Sequence, residues 1–194
     1  MTPTISKIVW FAFVVAWFIL RQRPGRRSRK TPVRYSARGA REFALLAASL
    51  SGLGIVPAVY VATHFPRFAD YPLIPALSYL GIAVDVVCLW LFYRTHRDLG
   101  QNWSVSLDLR ERHTLVTSGV YALVRHPMYS AFWLMALAQL LLLPNWIAGP
   151  AGLVGFGILF FGRVRREEGM MIAAFGDDYV SYMQRTARVI PWLY

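Results

Sequence analysis

Two stretches of this chain hold side chains that could do chemistry. The first, LGQNWSVSLDLRERHTLVTSGVYALVRHPMY, runs from Leu99 to Tyr129 and carries His113, Tyr121, Arg125, His126 and Tyr129. The second, FGRVRREEGMM, carries Arg163, Glu167 and Glu168. Arg163 and Glu167 are four apart, so a continuing helix sets them on one face, with Glu168 rotated about 100° away. A cation and an anion presented together suit a ligand bearing both charges. A surface ion pair worth a few tenths of a kcal/mol would read the same way in sequence. Pro127 fits the first turn of a helix and leaves amide donors near His126 for a polar ligand. His113, His126 and Glu167 match no metal-ligand spacing, so no metal site is expected. The lone Cys88 allows neither an intrachain disulfide nor a thiolate cluster.

The elements that must position these residues are apolar. Only 16% of the 194 residues are charged and 56% are hydrophobic, against roughly 25% charged in soluble domains. Disorder and an ordinary soluble enzyme are both excluded by that excess of apolar surface. Hydropathy predicts an all-α, polytopic membrane protein with five spans: Ile5–Leu20, Phe43–Ala62, Leu73–Tyr93, Met128–Leu143 and Trp146–Phe161. The last two, separated by Pro144 and Asn145, read as a tight hairpin. Spans two and three have about the 20 residues that cross ~30 Å of hydrocarbon; the other three are shorter and need flanking residues or a thinner bilayer. The chain divides into residues 1–98, three spans with a basic loop, and residues 99–194, which hold the chemistry.

Charge sets the expected sidedness. Of 21 Lys and Arg, only Lys7 and Arg67 fall on one side, and the other nineteen fall on the opposite side. The N-terminus is therefore expected outside and the C-terminus in the cytoplasm. The net charge of +11 is concentrated in the arginine-rich stretch 21–41, which anionic headgroups explain without a nucleic-acid partner. Positive charge follows the first apolar run instead of preceding it, unlike a cleaved signal peptide. Gly152, Gly155 and Gly157 lie inside an apolar span with no strand before them, so close helix packing accounts for them better than a nucleotide loop. Asn102-Trp103-Ser104 is a formal glycosylation sequon on the expected cytoplasmic side and is read as unglycosylated. Asp85 in mid-span is either a polar site or a structural acid. His64 and Gln139 read as interfacial or helix-bridging groups.

Taken together, LGxNWS, HxLVTxGxYxxVRHPxY, RxxxEE and FGxxYxxYxxRxxRxIP resemble the isoprenylcysteine carboxyl methyltransferase family in a short prokaryotic form. The likeness covers roughly residues 99–194. It implies an integral membrane enzyme that takes a methyl group from S-adenosylmethionine, with S-adenosylhomocysteine as product. Carried over residue by residue, it implies a cytoplasmic cofactor pocket of His113, Leu115, Val116, Tyr121, His126, Pro127 and Tyr129, with Glu167 facing the cofactor's amino group. It also implies that Arg163 holds the substrate carboxylate, so that Arg163 and Glu167 are the expected catalytic pair. Ser106, Ser130 and Ala131 depart from residues frequent at those positions in the family. The expected acceptor is a prenylated cysteine or a similar lipophilic acid drawn from the bilayer, with membrane lipids as the surroundings and no obligate protein partner. Three other readings stay open on sequence: a phospholipid amine methyltransferase, a sterol-reductase relative suggested by RHPxY, and a non-enzymatic membrane subunit.

Overall fold

The computed structural model describes residues 1–28, 33–36, 39–100, 108–110 and 114–193. Helices dominate. They are α1 (Pro3–Ser28), α2 (Ala40–Leu50), α3 (Val56–Thr63), α4 (Pro75–Leu99), α5 (Pro127–Leu142), α6 (Ala151–Phe175) and α7 (Asp177–Arg185). A short antiparallel pair, β1 (Val33–Ser36) with β2 (Asp108–Arg110), is an addition the hydropathy pattern does not signal.

Helices occur at the positions of the expected spans, with two local differences. The second is one rod from Ala40 to Thr63, joined through a π-helical turn at Ser51–Ile55. Its cause is Pro57, which has no N–H for the Leu53 carbonyl and whose ring crowds it; the wider turn absorbs the misfit. The fifth rod begins at Ala151, not Trp146. Asn145 holds the preceding turn away from helix: its Oδ1 accepts from the amides of Ile147 (3.0 Å) and Ala148 (2.9 Å). Its Nδ2 donates to the Pro66 carbonyl and to Asp70 Oδ1, both at 2.8 Å, which ties the hairpin turn to the loop before α4. Gln139 does bridge, donating to the carbonyls of Gly52 and Ala148.

Among the described residues, three rods are long and apolar enough to cross a membrane: Pro3–Gln22, Ala40–Thr63 and Pro75–Leu99. Their outer faces are apolar too. Phe11, Phe18, Phe43, Leu50, Val86 and Trp90 are each more than half exposed, a perimeter suited to hydrocarbon and not to water. This is a membrane protein of several apolar helices.

One crossing positions the site. Where α2 enters the π turn, Gly52 meets Gly155 of α6 backbone to backbone. A Cβ on Gly52 would fall 2.2 Å from the Ala151 carbonyl oxygen, and one on Gly155 would fall 2.4 Å from that of Ala48. Small residues let the two backbones touch. The helices run antiparallel from that point, so Leu45 lies against Gly162, and Arg41 Nη2 donates to the Gly162 carbonyl at 3.1 Å. The start of α2 is thereby brought to the place where α6 changes from apolar to charged.

Candidate active site at the polar ends of three helices

The site grows from the aromatic core beneath it. Tyr129, Phe156, Leu159, Phe160, Val164 and Val189 form one buried cluster joining α5, α6 and the segment after α7. Pro127 takes the first turn of α5, as its fixed φ and missing N–H favour, and His126 precedes it as the N-cap residue. The segment following α7 returns to this point. The amides of Arg125 and His126 donate to the carbonyls of Ala187 (2.9 Å) and Arg188 (3.0 Å). That return brings two distant motifs, VRHP and RxxRxIP, side by side.

The consecutive acids of α6 part company here. Glu168, 4% exposed, sits among four nitrogens of three side chains. Arg125 Nε lies 2.7 Å from its Oε1 and Arg188 Nε 3.0 Å, while Arg188 Nη2 meets Oε2 at 2.8 Å. His126 Nε2 is 3.3 Å from Oε1. Burial alone would raise this carboxyl; the bonds from His126, Arg188 and Arg125 overcome that and hold it well below the usual carboxylate range. Arg125 also donates to the Thr186 carbonyl, which clamps the returning segment.

Glu167 faces the other way. Its Oε2 accepts from the Tyr129 hydroxyl and stands 3.8 Å from Arg163 Nε. The Tyr129 ring stacks on His126 with centroids 5.3 Å apart and planes 23° from parallel. His126, Tyr129, Glu167 and Arg163 therefore form one contiguous row. The Glu167 side chain is 31% exposed, against 6% for Glu168, so it is the acid of the pair able to meet a ligand. Arg163, 8% exposed, pairs on its far side with Glu42 Oε1 at 3.1 Å.

Among the remaining sequence-expected residues, Tyr121 is buried in a 3₁₀ turn at Gly119–Ala122, where its carbonyl accepts from the Tyr182 hydroxyl at 2.6 Å. Burial first, then Tyr182 and the carboxylates of Glu167 and Asp98, push its phenol well above the ordinary value, so it stays a neutral donor. Asp98 braces that turn by accepting from the Val120 amide at 3.1 Å. Leu115 and Val116 are half-buried in the irregular segment that leads to it. His113 and Ser106 lie outside the described residues. No group of three metal-ligating side chains occurs among the described residues. Asp85 is buried in α4; the row of site residues does not include it.

Sequence reasoning missed Glu42, and it treated Glu168 as the partner left over. Arg125 and Arg188 were present in the quoted motifs, but their shared carboxylate becomes evident only when the segment after α7 folds back. Glu42 carries no local signal, being one acid in the first turn of an apolar helix.

Comparison with known proteins bears on this arrangement. The profile of the isoprenylcysteine carboxyl methyltransferase (ICMT) family matches residues 79–173, which contain His126, Tyr129, Arg163 and both acids. Protein-S-isoprenylcysteine O-methyltransferase of Schizosaccharomyces pombe is 31% identical over 151 residues, covering 76% of this chain and 63% of that protein. Over this region the chain is similar to the ICMT family. The human protein-S-isoprenylcysteine O-methyltransferase is 34% identical over 92 residues, 47% of this chain and 32% of its own length. The chain thus spans just under two thirds of the first of these relatives and about a third of the second. A solved structure of the eukaryotic intramembrane Ras methyltransferase ICMT superposes with a TM-score of 0.55 at 24% identity, covering 80% of this chain and 54% of that one, and shares its fold.

Proposed function

We propose that this protein is a member of the ICMT family that methyl-esterifies the carboxylate of a prenylated cysteine or a similar lipophilic acid, using S-adenosylmethionine. The observation that carries the reading is the contiguous row His126–Tyr129–Glu167–Arg163, which sets one partly exposed carboxylate and one buried guanidinium side by side at the polar edge of an apolar bundle. The donor set fits such a cofactor: a partly exposed carboxylate to receive an ammonium, aromatic faces beside it, and neutral hydroxyl donors. Glu167, held by Tyr129, would bind the amino group; His126, Pro127, Tyr121, Leu115, Val116 and, by resemblance, His113 would line the remainder. When bound, the cofactor supplies an electrophilic methyl group on a sulfonium.

The chain's own task is modest. A carboxylate is ionised at neutral pH and needs no general base. It needs alignment and the removal of water. Arg163 can do both, because a guanidinium fork orients a carboxylate through two parallel hydrogen bonds that a lysine cannot reproduce. Five helical rods crossing the bilayer, an outside N-terminus and a cytoplasmic C-terminus would place this edge at the cytoplasmic membrane surface, where a greasy acid can reach it from the lipid. The catalytic unit would be residues 99–194, carried on the three preceding spans, with no obligate protein partner.

Arg163→Ala is expected to abolish methyl transfer to an S-farnesylated N-acetylcysteine while S-adenosylhomocysteine still binds by titration calorimetry in detergent. Unchanged turnover would overturn the assignment. Release of the transferred label by mild base separates an ester product from a methylated phospholipid amine.

A further inference from the structure

Glu42 lies outside the half of the chain that the family profile matches, yet it reaches the guanidinium at the centre of the site. Both side chains are buried, at 5% and 9% exposure. A guanidinium in a water-poor place needs a counter-charge, and here two carboxylates attend it: Glu42 on Nη1 and Glu167 beside Nε. A third carboxylate, brought by an acid substrate, would crowd three negative charges around one positive. Glu167 is held in place by the Tyr129 hydroxyl. Among the described residues, the ion pair given to Glu42 is the one with Arg163.

Glu42 also has somewhere else to go. It is the third helical residue of α2, whose N-cap is Gly39, a residue without a side chain to cap the exposed amides. An acid at this position can turn back to the N-cap amide, and it is favoured by the positive end of the helix dipole.

We propose that Glu42 is the exchangeable counter-ion of Arg163: it neutralises the guanidinium when no acid is bound and yields it to the incoming carboxylate, turning back to cap α2. This rests on the reading of Arg163 as the anchor of the substrate carboxylate. The exchange makes the site selective. An acid without an apolar tail gains too little to displace Glu42, whereas a lipophilic acid adds the burial of its tail.

The test uses the full chain in detergent micelles with S-adenosylmethionine and an S-farnesylated N-acetylcysteine. Glu42→Gln keeps the shape and the capping ability of the side chain but removes the competing charge. KM for the acid is expected to fall about tenfold, the scale of one hydrogen bond to a charged group, while kcat moves much less. Inhibition by a tail-less S-methylated N-acetylcysteine is expected to strengthen in parallel. A KM that rises or stays constant would overturn the exchange. If Arg163→Ala keeps its turnover, the anchor reading itself fails; if that variant is inactive and the Glu42→Gln KM does not fall, only the exchange fails. The wild type provides a second readout that needs no variant. Amide hydrogen exchange at residues 39–42 should slow when the farnesylated acid is added with S-adenosylhomocysteine, but not when its methyl ester replaces it. Equal protection by acid and ester, or none by either, would also overturn the proposal.

Discussion

Replacing Glu168 with glutamine removes the negative charge from between two guanidiniums while keeping the side chain's size. The wild-type carboxylate takes three bonds from Arg125 and Arg188 at 2.7, 3.0 and 2.8 Å. The two arginine side chains are only 10% and 19% exposed, so water cannot readily replace what is lost. Glutamine keeps one acceptor oxygen, but its amide nitrogen then confronts an arginine donor. Breaking a buried pair by removing one partner costs about 3–5 kcal/mol, and that is the expected destabilisation. The assay is equilibrium unfolding in mixed micelles, followed by far-ultraviolet circular dichroism. A cycle with Arg188→Met isolates the forked contact, for which a coupling of about 2 kcal/mol is expected. A Glu168→Gln cost below about 1 kcal/mol, or a coupling near zero, would place the cluster among exposed ion pairs and refute its role as the clamp on the returning segment.

The same cluster sets a pH dependence. Because the folded-state pKa of Glu168 is depressed, its stabilisation is complete above the unfolded value of about 4.3 and is lost only as pH falls below it. The gap in Tm between wild type and Glu168→Gln should therefore stay constant from pH 8 to 5 and narrow only at lower pH; a gap that closes between pH 8 and 5 would refute the assignment to the Glu168 carboxylate. Gly155→Ala places a methyl against the Ala48 carbonyl, where only backbone can give way, and should cost about 1–3 kcal/mol by thermal unfolding in detergent. Gly169→Ala, on the same helix with open space around it, should be neutral or stabilising by up to about 1 kcal/mol. Tyr129→Phe frees Glu167 from its hydroxyl partner and should weaken S-adenosylhomocysteine binding about five- to tenfold in calorimetry; an unchanged affinity would remove Glu167 from the cofactor's contacts.

Much of this molecule is legible one residue at a time. Hydropathy alone marks the apolar rods, because crossing hydrocarbon demands runs of apolar residues whatever their neighbours. The spacing of Arg163 and Glu167 put them on one helix face, and they do stand 3.8 Å apart on α6. Pro127 begins α5 for a purely local reason, its fixed φ and absent N–H. Other features depend on packing that no local pattern encodes. The turn through Pro150 replaced the expected start of the fifth rod because Asn145 found partners in a distant loop. Glu167 and Glu168 are indistinguishable neighbours in sequence; only the return of the segment after α7 makes one a buried counter-ion and leaves the other partly exposed beside Tyr129 and Arg163. Glu42 reaches Arg163 because two glycines let α2 and α6 touch at backbone distance. Periodicity and composition are properties of a segment and survive in the bare sequence. A contact between residues 121 positions apart is a property of the closed fold, decided where helix backbones can approach.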